Sequence, residues 1–329
     1  MPRVSVVIPT YNYAHFVGEA IQSILDQSFR DVEIIVIDDG STDNTAEVVS
    51  AFPVRYFYQE NQGLAAARNS GIRLTQGEYI NFLDADDLLT EDALEKSVEV
   101  LDSHPEVGFS YGQALLFDDK RGFDGLVKSS FLNSSTIVDG KEQIKELALF
   151  SNRITISSVV ARRSCIEEAG GFNVEMRRFQ DHHFCIQMAK KFPVAYIAEP
   201  LVKYRVHPEA LHKNVDPYLA ERVFLLIAEE IFSDPDTADY FQPWKDQMYS
   251  HYYQKIASYA YGQDMRLSRR YIRRAVKVHP RMMLTGTGIS MAYLYAKTFL
   301  PNRPRMLLHI LKRRFSAPKR LMEGKSCPQ

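Results

Sequence analysis

The sequence predicts an α/β fold in which a mixed, Rossmann-like sheet is flanked by helices and followed by a helical C-terminal region. Through the first 90 residues, short apolar runs alternate with patterns of helical period, as in strands joined by crossover helices. The runs are almost continuously apolar, which is typical of strands buried on both faces of a parallel sheet. Each run ends in polar residues, and we expect these ends to share the sheet edge at which ligands bind in such folds.

The elements follow in order along this region. Residues 4–8 form the first strand, which a Pro-Thr-Tyr-Asn segment ends, and a helix with one apolar face follows over about residues 16–27. Residues 33–37 form the second strand, which ends in a turn glycine and helix-capping residues. A third strand over residues 54–58 leads to a helix that begins after Gly63. A fourth strand then leads into a cluster of acids.

This cluster, at the end of residues 79–87, is the most informative feature of the chain. A run with strand character ends in Asp84, Asp86 and Asp87, and carboxylates so close together repel one another unless a cation or ligand satisfies them. Asp84 and Asp86 can hold a hard divalent cation such as Mg²⁺ or Mn²⁺ through oxygen. The alternative is a solvated turn that caps the helix beginning near Thr90. The other polar strand ends at the same edge favour a site.

Four motifs in this region resemble, in order and spacing, those of family 2 glycosyltransferases, which have the GT-A fold and use nucleotide-diphosphate sugars. The motifs are P-T-Y-N at residues 9–12, I-D-D-G-S-T-D at residues 37–43, G-L-A-A-A-R-N at residues 63–69 and L-D-A-D-D at residues 83–87. The resemblance is close over residues 1–115 and thinner to about residue 210. It implies a GT-A domain over residues 1–210. Beyond that the resemblance is absent or generic, and we expect a helical, basic region over residues 211–329.

The resemblance implies a role for each motif. Asp86 is the metal-side carboxylate, and Asp84 faces the ribose or the metal, while Asp87 either joins them or caps the next turn. Asp39 is the nucleotide-binding carboxylate, suited to accept from a uracil or guanine N–H, and Asp38 is structural. A divalent ion between the phosphates would neutralise the charge that develops on the leaving diphosphate. The other donor-site residues that the resemblance implies are Pro9, Thr10, Tyr11 and Arg68.

A general base is implied by a second resemblance further along the chain. Residues 179–184, preceded by a Gly-Gly-Phe segment, are similar to the motif in which inverting members of the family carry Glu-Asp before an apolar helix. Gln180 replaces the commoner Glu, and Asp181 keeps the key carboxylate. Asp181 would accept the proton of the acceptor hydroxyl as that oxygen attacks. Its structural alternative is the N-cap of the helix that runs to Lys191.

Three histidines are candidates for a metal site. His207 follows a short strand over residues 201–204 in the sequence Tyr-Arg-Val-His. This sequence resembles the family's Tyr-Arg-x-His motif, which implies a contact with the metal or the diphosphate, and the alternative is a surface loop histidine. His182 and His183 are adjacent, so on a helix they point about 100° apart and are not expected to share an ion.

These residues together imply an inverting glycosyltransferase that uses Mn²⁺ or Mg²⁺. It would move a sugar from a nucleotide-diphosphate donor, which we expect to be a UDP-sugar, to a hydroxyl of a glycan or lipid-linked acceptor in cell-surface polysaccharide or glycoconjugate synthesis. The alternatives are a sugar-1-phosphate nucleotidylyltransferase and a non-catalytic nucleotide-sugar-binding module. The first opens with a glycine-rich loop where this chain has Pro-Thr-Tyr-Asn, and the second requires loss of the base or metal residues. Neither G-x-G-x-x-G nor G-x-x-x-x-G-K-[ST] occurs, which argues against a dehydrogenase or P-loop enzyme.

Length and composition agree with an α/β enzyme. The chain has 329 residues, of which 45% are hydrophobic, enough for a full core and a second helical region. Cys165, Cys185 and Cys327 have no disulfide or metal spacing, which suits a reducing compartment. The first residues already form a core strand, so we expect no secretory signal and a cytoplasmic location.

The charge distribution predicts a surface partner. The net charge of −1 conceals a basic C-terminal stretch, residues 265–329, with 16 Lys or Arg and one acid. The rest of the chain has 24 basic and 40 acidic residues. Leu307, Leu308, Leu311 and Phe315 share a helical face beside basic residues, which suits peripheral binding to an anionic membrane surface. The alternatives are docking on the acidic body, nucleic-acid binding, which the interleaved leucines disfavour, and a span over residues 282–300, which its polar residues disfavour.

Overall fold

The computed structural model describes residues 1–119, 122–127, 129–130, 132–150, 153–209 and 215–281. Within these ranges the strands are β1 (Val4–Thr10), β2 (Val32–Asp38), β3 (Arg55–Tyr58), β4 (Tyr79–Phe82), β5 (Leu88–Leu89), β6 (Phe109–Asp118), β7 (Gly122–Val127), β8 (Thr136–Val138), β9 (Val160–Arg162) and β10 (Val194–Arg205). The helices are α1 (Ala14–Leu25), α2 (Thr45–Ser50), α3 (Leu64–Leu74), α4 (Ala93–Ser103), α5 (Gly140–Phe150), α6 (Arg163–Ala169), α7 (Gln180–Lys191), α8 (Pro217–Ser233), α9 (Pro235–Phe241), α10 (Lys245–Ala260) and α11 (Met265–Val278). Short 3₁₀ turns lie at Ile156–Ser158 and Gln242–Trp244.

The strands form one mixed sheet flanked by helices, which confirms the predicted fold class. The order is β3-β2-β1-β4-β9-β6-β10-β5, with β7 beside β6 and β8 beside β10. Strands β3, β2, β1 and β4 run parallel, β9 runs antiparallel to β4 and to β6, and β6 and β10 are parallel. The carboxyl ends of β1, β2, β4 and β10 therefore lie at one edge of the sheet, and the predicted site residues follow these ends.

Two apolar clusters cover the two faces of the sheet. Every residue of β1 is buried, and Val6 belongs to the cluster with α1 and α4. Val7 belongs to the cluster on the opposite face, because successive strand residues point to opposite sides. That second cluster continues through Phe184 of α7 into Phe224 of α8 and Tyr271 of α11. The C-terminal helices thus share a core with the sheet.

The C-terminal region is helical, as predicted, but the apolar face of its basic helix is used inside the protein. Leu267, Tyr271 and Ile272 of α11 are buried, and α11 packs mainly against α10. The exposed side is basic, and Arg270 lies 3.7 Å from Glu221 of α8. The face of α11 that could enter a lipid headgroup layer is therefore already covered by protein.

Other parts of the tail cannot be compared with the structure. The predicted basic face around Leu307 and the candidate span over residues 282–300 lie outside the described residues, as do residues 210–214 at the proposed domain boundary. Within the ranges given above, none of the helices combines the length and the apolar character that crossing a bilayer requires.

One strand is longer than the sequence predicts. Strand β10 begins at Val194, whereas the sequence predicts a short strand over residues 201–204. The pairing of β10 with β6 shifts register on both sides of Pro200. Proline cannot donate to the ladder and is tolerated in strands at such irregularities. Because of this proline, the sequence pattern alone does not reveal that the strand is continuous.

Helix α3, which carries Arg68, depends on a glycine for its distance from β1. A Cβ at Gly71 would lie 2.2 Å from Cγ1 of Val7. We expect Gly71→Ala to lower the free energy of unfolding by about 1–3 kcal/mol, because overpacking forces the helix off the sheet. Urea unfolding measures this. Gly18→Ala in α1 is the matched control, since its nearest contact would be 3.5 Å away, and equal stability of the two variants would contradict the prediction.

Candidate active site

Two adjoining pockets lie at the carboxyl edge of the sheet. The first, of about 470 Å³, is bordered by the end of β1, the start of α3 and the acid cluster. The second, of about 210 Å³, is bordered by the start of α7, by Val215 and by Tyr259 of α10. Asp84 borders both. Of the predicted site residues, those on the first pocket are Pro9, Thr10, Tyr11, Asp39, Asp84 and Asp86, and those on the second are Arg68, Asp84 and Asp181.

The acid cluster after β4 is as compact as its spacing predicts. Carboxylate oxygens of Asp84, Asp86 and Asp87 lie within 4.8 Å of one another. Burial raises the pKa of Asp84 above its ordinary value. The positive charge of Arg68 offsets part of this shift, and repulsion by Asp86 adds to it. Burial and repulsion by its two neighbours raise the pKa of Asp87 well above the ordinary range. The cluster is therefore an unfavourable arrangement of like charges without a bound cation.

Arg68 compensates one of these carboxylates from the side of α3. Its Nη2 lies 2.5 Å from Oδ1 of Asp84, and its side chain is 1% exposed. The guanidinium also lies over the ring of Phe172, 5.2 Å from the centroid, and Asn69 exchanges hydrogen bonds of 2.7 and 2.9 Å with the backbone of Phe172. The Arg-Asn pair of α3 therefore ties the Gly-Gly-Phe loop to the acid cluster.

Asp87 joins two distant segments and does not line either pocket. Its Oδ2 accepts a hydrogen bond from Oγ of Ser157 at 2.6 Å, and its Oδ1 accepts from the backbone N–H of Arg205 at 3.1 Å. Both oxygens are thus used within the protein, and the side chain is 1% exposed. Asp87 does not cap α4, whose N-cap is Asp92, and its carboxylate remains grouped with those of Asp84 and Asp86.

Replacing Asp87 by Asn should raise stability at neutral pH. Asn keeps an oxygen for the Arg205 N–H and a group for Ser157 while removing a buried charge. Because the folded-state pKa is raised, wild-type stability falls as pH rises from about 3.9 through that higher pKa. The variant lacks this loss, so we expect it to gain on the order of 1 kcal/mol near pH 7 and nothing near pH 3. Thermal unfolding against pH measures the difference, and a gain that did not depend on pH would contradict this cause.

His207 and Arg205, at the end of β10, hold the acid cluster from the other side. His207 Nε2 lies 2.9 Å from Oδ2 of Asp86, and its ring packs 4.8 Å from that of Phe16. Arg205, which the sequence analysis gave no role, donates from Nε to the backbone oxygen of Asp86 at 2.9 Å and from Nη2 to Glu19 at 2.7 Å. The sequence feature that could have indicated a role for Arg205 is its position in the Tyr-Arg-x-His motif.

Asp39 shapes the loop that leads into α3. Its Oδ1 accepts from the backbone N–H of Gln62 at 2.9 Å and from Nε2 of Gln59 at 2.7 Å. Its Oδ2 accepts from the backbone N–H of Gly63 at 2.8 Å, so one lone pair of Oδ2 stays available at the first pocket. Asp38 is buried and bonds Ser41 and Tyr56, which agrees with the structural role predicted for it.

The residues of the first pocket fit a hard divalent cation. Asp84 and Asp86 present carboxylate oxygens to the pocket, and oxygen is the donor that Mg²⁺ and Mn²⁺ prefer. The raised pKa of Asp84 shows that the nearby positive charge of Arg68 does not fully offset the burial and repulsion of the cluster. His207 touches Asp86 and is in reach either to share an ion or to orient that carboxylate. Thr10 Oγ1, which is buried on the same pocket, has no hydrogen-bond partner among the described residues.

Asp181 lies in the first turn of α7 and not at its N-cap. The N-cap is Phe179, which has a left-handed φ of +59° and makes no side-chain capping bond, so the predicted capping alternative for Asp181 is wrong. The helix begins two residues earlier than that alternative requires, and it ends at Lys191 as predicted. The negative charge of Asp181 raises the pKa of both Asp84 and Tyr259, after burial. Asp181 is therefore electrostatically coupled to both pockets.

Arg177 and Arg178 were not identified from the sequence. Both border the two pockets, and they are the basic residues on the first pocket among the residues described. Two adjacent arginines shortly before the base motif were the available signal, but adjacent basic residues in a loop are usually solvated.

Known glycosyltransferases are similar to this chain in sequence. The family model described as glycosyl transferase family 2 matches residues 5–159. An uncharacterised glycosyltransferase of Haemophilus influenzae is 32% identical over 199 residues, which are 58% of this chain and 73% of the relative. An uncharacterised glycosyltransferase of Rickettsia conorii is 32% identical over 223 residues, 66% of this chain but 36% of that longer relative.

Solved structures share the fold. Staphylococcus aureus TarS 1–349 in complex with UDP-GlcNAc superposes with a TM-score of 0.66 at 19% identity, over 91% of this chain and 88% of that one. The mannosyltransferase PcManGT of Pyrobaculum calidifontis, in complex with GDP-Man and Mn²⁺, superposes with a TM-score of 0.53 at 20% identity, over 92% and 88%. The fold and the acid-lined sheet edge define a GT-A protein. The chain belongs to glycosyltransferase family 2.

Proposed function

We propose that the protein is an inverting glycosyltransferase that moves a sugar from a nucleotide-diphosphate donor to a hydroxyl of an acceptor. One observation carries the proposal. Asp84 borders two adjoining pockets, of which the first also holds Asp39 and Asp86 and the second holds Asp181. A donor in the first pocket would direct its sugar towards the second, and an acceptor there would approach the anomeric carbon from the side of Asp181.

The first pocket would bind the nucleotide. Pro9, Thr10 and Tyr11 would pack against the base, and the ring of Tyr11 is 49% exposed and so available for this contact. The free lone pair of Asp39 would accept the N–H of a uracil or guanine. We propose a UDP-sugar as donor, which the presence of UDP-GlcNAc in the complex of TarS supports. Arg68 would hold Asp84 in its ionised form beside the ribose.

Asp86 and Asp84, with His207, would hold Mn²⁺ or Mg²⁺, and the complex of PcManGT with Mn²⁺ supports this. When bound, the ion would supply positive charge that stabilises the departing diphosphate. Arg205 would keep the Asp86 backbone in place, because its guanidinium is fixed by Glu19 and by the backbone oxygen of Asp86.

Asp181 would act as the general base. As the acceptor oxygen forms its bond to the anomeric carbon, the bond from that carbon to the diphosphate oxygen breaks and the hydroxyl proton passes to the Asp181 carboxylate. The attack comes from the face opposite the leaving group, so the configuration inverts. Phe179, held at a left-handed φ of +59°, sets the direction in which α7 presents this carboxylate to the pocket.

We propose a glycan or lipid-linked acceptor, in cell-surface glycoconjugate synthesis, and peripheral binding to the inner face of the membrane. The basic exposed side of α11 supports surface binding by charge. Full-length protein should cosediment with anionic but not with neutral vesicles, and less so at high salt. A truncated protein that ends after Arg281 keeps α11 and its core contacts. Its difference from the full-length protein gives the contribution of residues 282–329 to vesicle binding. Equal sedimentation with both vesicle types would contradict membrane binding.

Release of nucleoside diphosphate from a panel of nucleotide sugars, with and without Mn²⁺, tests the enzymatic function. We expect metal-dependent release from one class of donor, and mass analysis of the products then identifies the sugar and the acceptor. Binding without release would indicate a non-catalytic module. Pyrophosphate release from a nucleoside triphosphate and a sugar 1-phosphate would instead indicate a nucleotidylyltransferase, and either result would overturn the proposal.

A further inference from the structure

The second pocket is small, and aromatic rings form part of its walls. Its volume is about 210 Å³, and Phe179 and Tyr259 border it together with Asp181, the proposed base. The apolar side chains of Ile156 and Val215 also border it. Apolar and aromatic walls with a few polar groups are typical of small-molecule sites. A ligand held in this pocket therefore meets aromatic surface beside the base.

Tyr259 belongs to a part of the chain that the family motifs do not reach. It lies near the end of α10, beyond the residues over which the chain resembles those motifs. Its ring comes to the pocket because α10 packs against α5 and α8 in the shared core. One wall of the second pocket is thus a contribution of the C-terminal helical region.

A series of aromatic contacts holds the ring of Tyr259 from the interior. Buried Tyr252 stacks on Phe224 with 5.1 Å between the ring centroids, and Phe224 packs 4.9 Å from Phe179. The ring of Phe179 in turn lies 5.9 Å from that of Tyr259, at an interplanar angle of 51°. Because each ring is supported by the next, the half-buried ring of Tyr259 is a pre-organised surface for a ligand.

The hydroxyl group of Tyr259 is not used within the described part of the chain. It forms no hydrogen bond with any residue in the ranges given above. Burial and then the negative charge of Asp181 raise the pKa of Tyr259. The hydroxyl therefore keeps its proton at neutral pH and can donate to or accept from a hydroxyl of a ligand.

The other polar groups that are specific to this pocket are uncharged, apart from the proposed base. Gln180 borders it, is 6% exposed, and has an Oε1 without a hydrogen-bond partner among the described residues. Of the cations on the pocket, Arg68 is paired with Asp84, while Arg177 and Arg178 also border the first pocket. A carboxamide and a phenol both donate and accept, as the recognition of neutral sugar hydroxyls requires.

We propose that the acceptor presents a pyranose ring to the second pocket, and that Tyr259 is the surface on which the apolar face of that ring packs. The inference rests on the proposed function, because it assigns this pocket to the acceptor. A pyranose such as β-glucose has axial C–H bonds on one face, and these meet the negative π-face of a tyrosine favourably. An acyclic polyol has no fixed apolar face and gains much less. The C-terminal helical region therefore takes part in selecting the acceptor.

Saturation-transfer NMR tests this surface without any donor. Aromatic protons of the full-length protein are saturated in the presence of ribitol or of the methyl β-pyranosides of glucose, galactose and N-acetylglucosamine. We expect transfer to the C–H protons of one face of at least one pyranoside, and little transfer to ribitol. Tyr259→Leu should lose most of this transfer.

The matched control is Tyr253→Leu, which replaces a half-buried tyrosine of the same helix that borders neither pocket. This variant should keep the transfer of the wild type. Equal transfer in the two variants, equal transfer to ribitol, or no transfer to any of the pyranosides would overturn the inference.

Steady-state kinetics separate the acceptor from the donor. With a donor that the wild type turns over, the KM of the best pyranoside should rise about tenfold in Tyr259→Leu, because the ring and one hydrogen bond are lost. The kcat should change little, since the lost binding is uniform. Tyr259→Phe keeps the ring, so its KM should rise by about threefold at most, the effect of one neutral hydrogen bond.

Two kinetic results would contradict a role of this ring in acceptor binding. One is a rise in the KM of the donor with no change in that of the pyranoside, and the other is an equal loss in Tyr259→Phe and Tyr259→Leu. If no donor is turned over, the proposed function fails, and the NMR experiment alone decides whether Tyr259 binds a sugar ring.

Discussion

Replacement of Asp181 by Asn is expected to lower sugar transfer by roughly 10²–10⁴-fold, the usual contribution of a general base. The amide keeps the size of the side chain but takes up no proton at neutral pH. Asp181 borders the second pocket and not the first, so the affinity for the nucleotide sugar should change little. Steady-state product formation and calorimetric donor binding measure the two effects separately.

The matched control for this variant is Asp246→Asn. Asp181 and Asp246 are each the second residue of their helices, α7 and α10, so both substitutions remove the same favourable interaction with a helix N-terminus. Asp246 is exposed and borders neither pocket, and its variant should retain full transfer. Near-wild-type transfer by a folded Asp181→Asn protein would mean that another group activates the acceptor.

The sheet and the first pocket follow from local features of the sequence. Strand β1 is buried along its whole length, and its apolar run predicted this. The acids after β4 stand next to one another in the chain, so their proximity did not depend on the tertiary fold. Asp39 and Asp84 follow parallel strands of one sheet, and the shared edge of such strands brings them to one pocket.

The second pocket could not be predicted in the same way. Tyr259 lies on α10, which carries a buried apolar face like many other helices, and nothing local marks one of its other positions as functional. The place of Tyr259 beside Asp181 depends on how α10 packs against the α5 and α8 helices. Arg205 was hidden for a related reason, because its partners Glu19 and Asp119 are far from it in sequence.

In the basic tail, the sequence pattern alone does not determine what the apolar face of a helix packs against. In α11, apolar and basic residues recur at helical spacing, and the helix forms. The same pattern is produced by a helix that lies on a membrane and by one that packs on protein. Tyr271 and Ile272 of α11 are buried, so this helix packs on protein.

Replacement of Asp86 by Ala should abolish the metal dependence of donor binding. Asp86 offers a carboxylate to the first pocket and is fixed by His207 and Arg205, so its loss removes a proposed ligand. We expect Mn²⁺ affinity to fall by at least about 100-fold, more than the loss of an outer-shell partner. Electron paramagnetic resonance of free Mn²⁺ measures the ion directly, and donor titrations with Mn²⁺ or a chelator measure the coupling.

The stability of the metal-free protein and a second variant separate a ligand role from a general loss of charge. Asp86→Ala relieves the repulsion that raises the pKa of Asp84 and Asp87, while it removes the bond to His207. These effects oppose one another, so the free energy of unfolding should change by less than about 1 kcal/mol. Asp87→Asn removes the same charge from the cluster but no pocket oxygen, and should keep most of the Mn²⁺ affinity. If the two variants lose Mn²⁺ affinity equally, or if Asp86→Ala keeps metal-dependent donor binding, Asp86 acts only through the field of the cluster and is not a ligand.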